Sequence, residues 1–108
     1  MQQDDQIMRL GDIAALAQLQ FQQDYSDIDP VIGINRQMRK QGFAVDILTI
    51  DCIVSKKRLM ILFEDAFPLR VKYQASTVDG DPGMEFSNIA LSELDQRKFY
   101  DLMVEILR

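Results

Sequence analysis

Two apolar runs in close succession, DILTIDCIV at residues 46–54 and RLMILFE at residues 58–64, constrain the fold of this chain more than any other feature. Both are dominated by β-branched or bulky apolar side chains, and Ser55, Lys56 and Lys57 between them form a turn signal. They predict two adjacent strands, the first over about residues 44–54 and the second over residues 58–64. Apolar residues fall on both parities of each run. Such strands need cover on both faces of the sheet, from helices on one side and from a partner or barrel closure on the other.

Two further strands follow from the pattern. Residues 69–75 alternate cleanly, with Arg70, Lys72 and Gln74 on a wet face. Thr77 to Gly83 (TVDGDPG) is a strong turn signal, and it leads into a fourth strand over residues 84–89. With connections this short, an antiparallel meander is expected.

Helices flank this β region. Ile7, Leu10, Ala14, Ala17 and Phe21 recur at spacings of 3, 4, 3 and 4, which predicts an amphipathic helix over residues 4–24. Gly11 weakens that helix by ~1 kcal/mol relative to Ala. Asp29 as N-cap and Pro30 as first helical residue predict a second helix, running to a stop at Gly42. Ser92 and Asp95 open a C-terminal helix with a buried stripe through Leu94, Phe99, Leu102, Met103, Ile106 and Leu107. The expected fold is α+β: a four-stranded or barrel-like antiparallel β-meander with two N-terminal helices and one C-terminal helix. With 108 residues and 47% hydrophobic content, residues 1–108 are expected to form one domain with a modest core.

The net charge of −5 argues against nucleic acid or acidic membranes as general partners, since their binders carry a basic excess. No run approaches the ~18 apolar residues of a membrane span. The first residues show no basic segment followed by an apolar stretch. A cytoplasmic protein is therefore expected. A lone cysteine, Cys52, sits inside an apolar run and reads as a packed thiol.

The chain has no histidine. Triads of the Ser-His-Asp kind, Cys-His catalysis and Cys/His zinc sites therefore cannot be built within it, and no cofactor motif is present. Enzymatic readings narrow to carboxylates, Lys and Tyr. Asp51 is the natural candidate, because a carboxylate within an apolar strand must be hydrogen-bonded, paired with a cation such as Arg58, or placed beside a second carboxylate. Across a dimer two-fold, two Asp51 side chains sharing one proton would form an acid/base pair for peptide hydrolysis. The segment Leu48-Thr49-Ile50-Asp51 resembles the apolar approach to the catalytic Asp of dimeric, retroviral-type aspartic peptidases. Cys52 and Ile53 depart from that pattern, which has Thr or Ser followed by Gly. Asp81 is a second candidate, since its carboxyl group can attack the peptide bond to Pro82. Asp29 and Pro30 repeat that arrangement.

Binding is the alternative to catalysis. Residues 1–30 carry six acids against one base, whereas residues 31–60 carry six bases, Arg36, Arg39, Lys40, Lys56, Lys57 and Arg58, against two acids. Should the second helix lie near the first hairpin turn, these bases form one patch for an anionic ligand or an acidic protein surface. In size and acidity the chain is similar to small dimeric α+β secretion chaperones, which hold an extended client on apolar surface. The unpaired edge of a meander also invites strand addition. Together these features favour a protein- or ligand-binding domain that forms a homodimer or meets another protein, with a carboxylate-based peptidase as the alternative.

Overall fold

The computed structural model describes residues 3–80, 83 and 85–108. A 22-residue helix α1 (Gln3–Asp24) leads into strand β1 (Val31–Asn35) and a single helical turn α2 (Gln37–Lys40). Strands β2 (Val45–Cys52), β3 (Lys57–Glu64), β4 (Arg70–Thr77) and β5 (Ser87–Ala90) follow, then the C-terminal helix α3 (Gln96–Leu107). All five strands pair antiparallel in sequence order, β1-β2-β3-β4-β5, so the sheet is an open meander.

The α+β class and the meander are as the sequence predicts, but there is a fifth strand. Residues 31–35 form β1 where a second helix is expected from Pro30 onward. Val31, Ile32 and Ile34 are β-branched, and Ile32 and Ile34 alternate onto the helix-covered face opposite Ile50 and Leu48 of β2. Pro30 fixes φ at a value that suits the start of a strand as well as of a helix, so it does not discriminate. Helix remains only in the turn after Asn35, whose side-chain oxygen accepts from the backbone N–H of Gln37 at 2.8 Å. That turn ends at Gly42 as predicted. Gly42 has φ +97, its N–H bonds to the Arg39 carbonyl, and the N–H of Phe43 reaches the Met38 carbonyl, which together make a Schellman closure.

Both long helices lie on one face of the sheet. Ile7, Leu10, Ala14, Ala17 and Phe21 of α1 are all buried, as their spacing predicts. They meet Phe99, Leu102, Met103 and Leu107 of α3 over the inward row Leu48, Ile50, Leu59, Ile61, Phe63 and Val71. α1 rests across β1 and β2, while α3 covers β3 and part of β2. Helix α3 begins four residues later than Ser92: Asp95 is the N-cap, accepting from the Lys98 N–H at 2.9 Å, after a 3-10 turn over Leu91–Glu93. Cys52 is buried in the core as expected.

Among the described residues, no helix lies on the opposite face of the sheet. Val45, Ile47, Thr49 and Asp51 of β2 lie there beside Arg58, Met60, Leu62 and Glu64 of β3. On this face Gln74 of β4 donates to the carbonyls of Gly83 and Glu85 at 3.2 and 2.9 Å.

Candidate functional site

Asp51 and Arg58 stand directly opposite one another in the β2–β3 ladder, on the helix-free face. Arg58 Nε donates to Asp51 Oδ1 at 2.7 Å and Nη2 donates to Oδ2 at 2.9 Å. This fork engages both carboxylate oxygens, and the side chains are only 13% and 24% exposed. The hydrogen bond to Asp51 holds the Arg58 guanidinium above its ordinary pKa. This fork supplies the cation pairing that a carboxylate within an apolar strand requires. Asp81 lies outside the described residues, and its neighbour Asp79 pairs with Lys56 at 2.8 Å. Among the described residues, no group of three His, Cys, Asp or Glu side chains is placed to hold a metal ion.

The six bases do not meet in one patch. Arg36, Arg39 and Lys40 belong to the turn before β2, whereas Lys56, Lys57 and Arg58 belong to the hairpin after it. The eight residues of β2 between these groups span about 25 Å. At the hairpin end, Lys56 meets Asp79, Lys57 donates to the Arg108 carbonyl, and Arg58 holds Asp51. Lys40 is exposed at the other end.

The more deeply buried acid is Asp46, which sequence reasoning passed over. Asp46 is fully buried, and it binds two arginines: Arg36 Nε donates at 3.0 Å and Arg39 Nε at 2.9 Å, both to Oδ1. Arg39 also forks onto Asp65, with Nη1 and Nη2 donating at 2.9 and 2.7 Å. Its guanidinium is raised well above the ordinary arginine value, first by the hydrogen bond to Asp65 and then by that to Asp46. In return, Arg39 holds the Asp65 carboxyl below its ordinary value. A parity signal for Asp46 was present in the sequence. Asp46 shares the parity of Leu48, Ile50 and Cys52, which face the helices, whereas Asp51 has the opposite parity. The network pins the α2 turn to the start of β2 and the end of β3, and its charges are spent on one another.

A third place offers open apolar surface. Between α1, the 3-10 turn and the β3–β4 connection lies a groove of about 670 Å³, walled by Leu10, Ile13, Leu69, Ala90, Leu91 and Leu94. Arg9, Ser92 and Asp95 supply its polar groups. A shallower hollow over residues 66–70 shares Leu69 and extends it. The Leu91 N–H donates to the Leu69 carbonyl at 2.9 Å, which fixes the floor, yet the Leu69 side chain is 81% exposed. Phe67 is also exposed, with the Arg70 guanidinium 4.4 Å from its ring centroid. In the sequence, Leu69 reads as an ordinary alternating strand residue, so nothing local marks this groove.

No family model matches the chain, and neither the curated proteins nor the solved structures contain a significant match. No helix among the described residues is long and apolar enough to cross a membrane.

Proposed function

We propose that this chain is a small cytoplasmic protein-binding domain, homodimeric and without a cofactor, that takes apolar side chains of a partner segment into the groove beside Leu69. The observation that carries this reading is the groove itself: about 670 Å³, walled mainly by aliphatic side chains and continuous with the exposed Leu69 and Phe67. That volume lies within the range of sites that seat apolar anchors, and a leucine left in water beside such a wall gains by being covered. Arg9 and Asp95 at the rim offer one charge of each sign for orienting a partner. The Asp51–Arg58 fork supports a structural role for Asp51 in this reading.

Selection of displayed random peptides on the immobilised protein tests the proposal. Enriched peptides should carry two or three spaced apolar residues, and Leu69→Glu should weaken them at least about tenfold, since a buried charge costs more than 1.4 kcal/mol. Because Leu69 is exposed, the variant keeps its fold. Peptides that bind Leu69→Glu equally well, or no enrichment at all, would refute the groove. An intact-mass measurement after incubation at acid and neutral pH runs alongside. Wild type should stay whole, whereas a fragment that disappears in Asp51→Asn would establish carboxylate peptidase chemistry instead.

A further inference from the structure

We propose that two copies of this chain pair β1 with β1 antiparallel about a two-fold axis at Gly33, so that the two sheets become continuous and the two α1 helices pack across the same axis. β1 is an edge strand, and its five residues, VIGIN, contain no charge and no proline. Edges that stay solitary are ordinarily guarded by charge, proline, a bulge or extreme shortness. The other edge, β5, is shorter and carries Ser87 and Asn88, both exposed. Val31 is 50% exposed and Ile34 36% exposed, so side chains at the unguarded edge are ready to be covered.

The strand is complementary to itself. An axis through Gly33 sets Ile32 opposite the partner's Ile34 on the helix side, and Val31 opposite the partner's Asn35 on the other side. Four isoleucines then form one apolar ladder. No like charges face each other along the strand, although each chain is acidic overall.

The position of α1 supplies an independent check on that axis. α1 runs antiparallel to β1: Gly11 lies against the Ile34 side chain, while seven residues on Gln18 donates to the Pro30 carbonyl. Gly33 therefore sits beside residues 12–13 of the helix. Gly11 and Gln18 mark the side of α1 that lies over β1, and Ala15, Met8 and Leu19 stand progressively further round toward solvent, about 40°, 60° and 80° from Gly11. All three are exposed, Met8 at 56% and Leu19 at 57%. Their midpoint, between Ile13 and Ala14, falls nearly at the level of Gly33. One axis thus centres both the strand and the helix stripe, and it brings Met8 onto the partner's Leu19. Asp12, the acid within this stretch, comes opposite the partner's Ala15.

The spacing also fits. α1 rests across β1 and β2, so with strands ~4.8 Å apart its axis lies about 5 Å from the two-fold. Two such helices are about 10 Å apart, within the 8–10 Å at which helices pack. Had α1 lain directly over β1, the helices would collide. This surface is separate from the groove, which takes the opposite flank of α1 through Arg9 and Ile13.

Sedimentation equilibrium and thiol cross-linking of the full chain test the pairing. Wild type should sediment at twice 12.5 kDa, and Val31→Lys/Leu19→Lys at 12.5 kDa with an unchanged circular dichroism spectrum, since both positions are exposed in the single chain. Buried Cys52 leaves an introduced thiol as the reactive one. A mixture of Met8→Cys and Leu19→Cys chains should oxidise mainly to the mixed disulfide, with little of either homodisulfide. A monomeric wild type would overturn self-pairing and leave the edge to a different strand. So would a dimer that survives both lysines, or a preference for the Met8→Cys homodisulfide.

Discussion

Truncating Asp46 to alanine should cost far more stability than the same change at Asp51, although the sequence makes Asp51 the more conspicuous acid. Asp46 is completely buried and accepts from Arg36 Nε at 3.0 Å, from Arg39 Nε at 2.9 Å and from Arg39 Nη2 at 3.1 Å. Breaking a buried charged pair typically costs 3–5 kcal/mol, mostly because the surviving charge is stranded. Here the two arginine side chains are 30% and 27% exposed, and Arg39 keeps Asp65, so the stranded charges partly rehydrate. A loss of about 3 kcal/mol follows, at the lower end of that range. At a urea slope of ~1.5 kcal/mol/M, the unfolding midpoint should fall by about 2 M. Asp51→Ala removes one cross-strand fork on a partly wet face and should cost about 1–1.5 kcal/mol, or up to about 1 M in midpoint. Urea titrations followed by circular dichroism, with equal slopes required before midpoints are compared, give both numbers. A midpoint shift for Asp46→Ala no larger than that for Asp51→Ala would refute the ranking and the reasoning from burial behind it.

Three further outcomes follow from the same geometry. Arg39 holds the Asp65 carboxyl below its ordinary value, so its stabilising contribution is complete above the unfolded-state value near 3.8 and is lost as pH falls through the lower folded-state value. Asp65→Asn should therefore flatten the acid limb of a stability-against-pH curve, and an unchanged limb would contradict the assignment. Lys56 holds φ 61 in the hairpin turn, in the left-handed region that disfavours a side chain, while its ion pair with Asp79 is well exposed. Lys56→Gly should raise stability by up to about 1 kcal/mol in thermal melts, and a loss would show that the ion pair outweighs the strain. The Tyr100 hydroxyl is pushed up to about 12, first by its hydrogen bond to Asp24. Spectrophotometric titration should show one late-ionising tyrosine, which Tyr100→Phe removes; a late step that persists would place the effect on another ring.

Most of what was legible in the sequence rests on periodicity. The spacing of Ile7, Leu10, Ala14, Ala17 and Phe21 reports a face, and that face is buried as read. Strands β2, β3 and β4 and the stripe of α3 were equally plain, because packing reinforces the local pattern there, but Gln74 of β4, read as wet with Arg70 and Lys72, is buried where it bonds the Gly83 and Glu85 carbonyls. Residues 31–35 were not, because five residues are too few to show a period, and Asp29-Pro30 suits a helix start as well as a strand start. The basic residues show the limit most clearly. Six of them are close along the chain, yet β2 separates them into two groups.

On its own, then, the sequence determined the helical and strand periods, the single core's composition, and the exclusion of histidine chemistry. Tertiary structure alone decided that Arg58 takes both oxygens of Asp51, that Asp46 is held by Arg36 and Arg39, and that β1 forms an uncharged edge beside the exposed side of α1. The physical reason is range. Periodicity is set by neighbours within one or two turns of the chain, whereas charge pairing, edges and grooves arise between segments that only the closed sheet brings together.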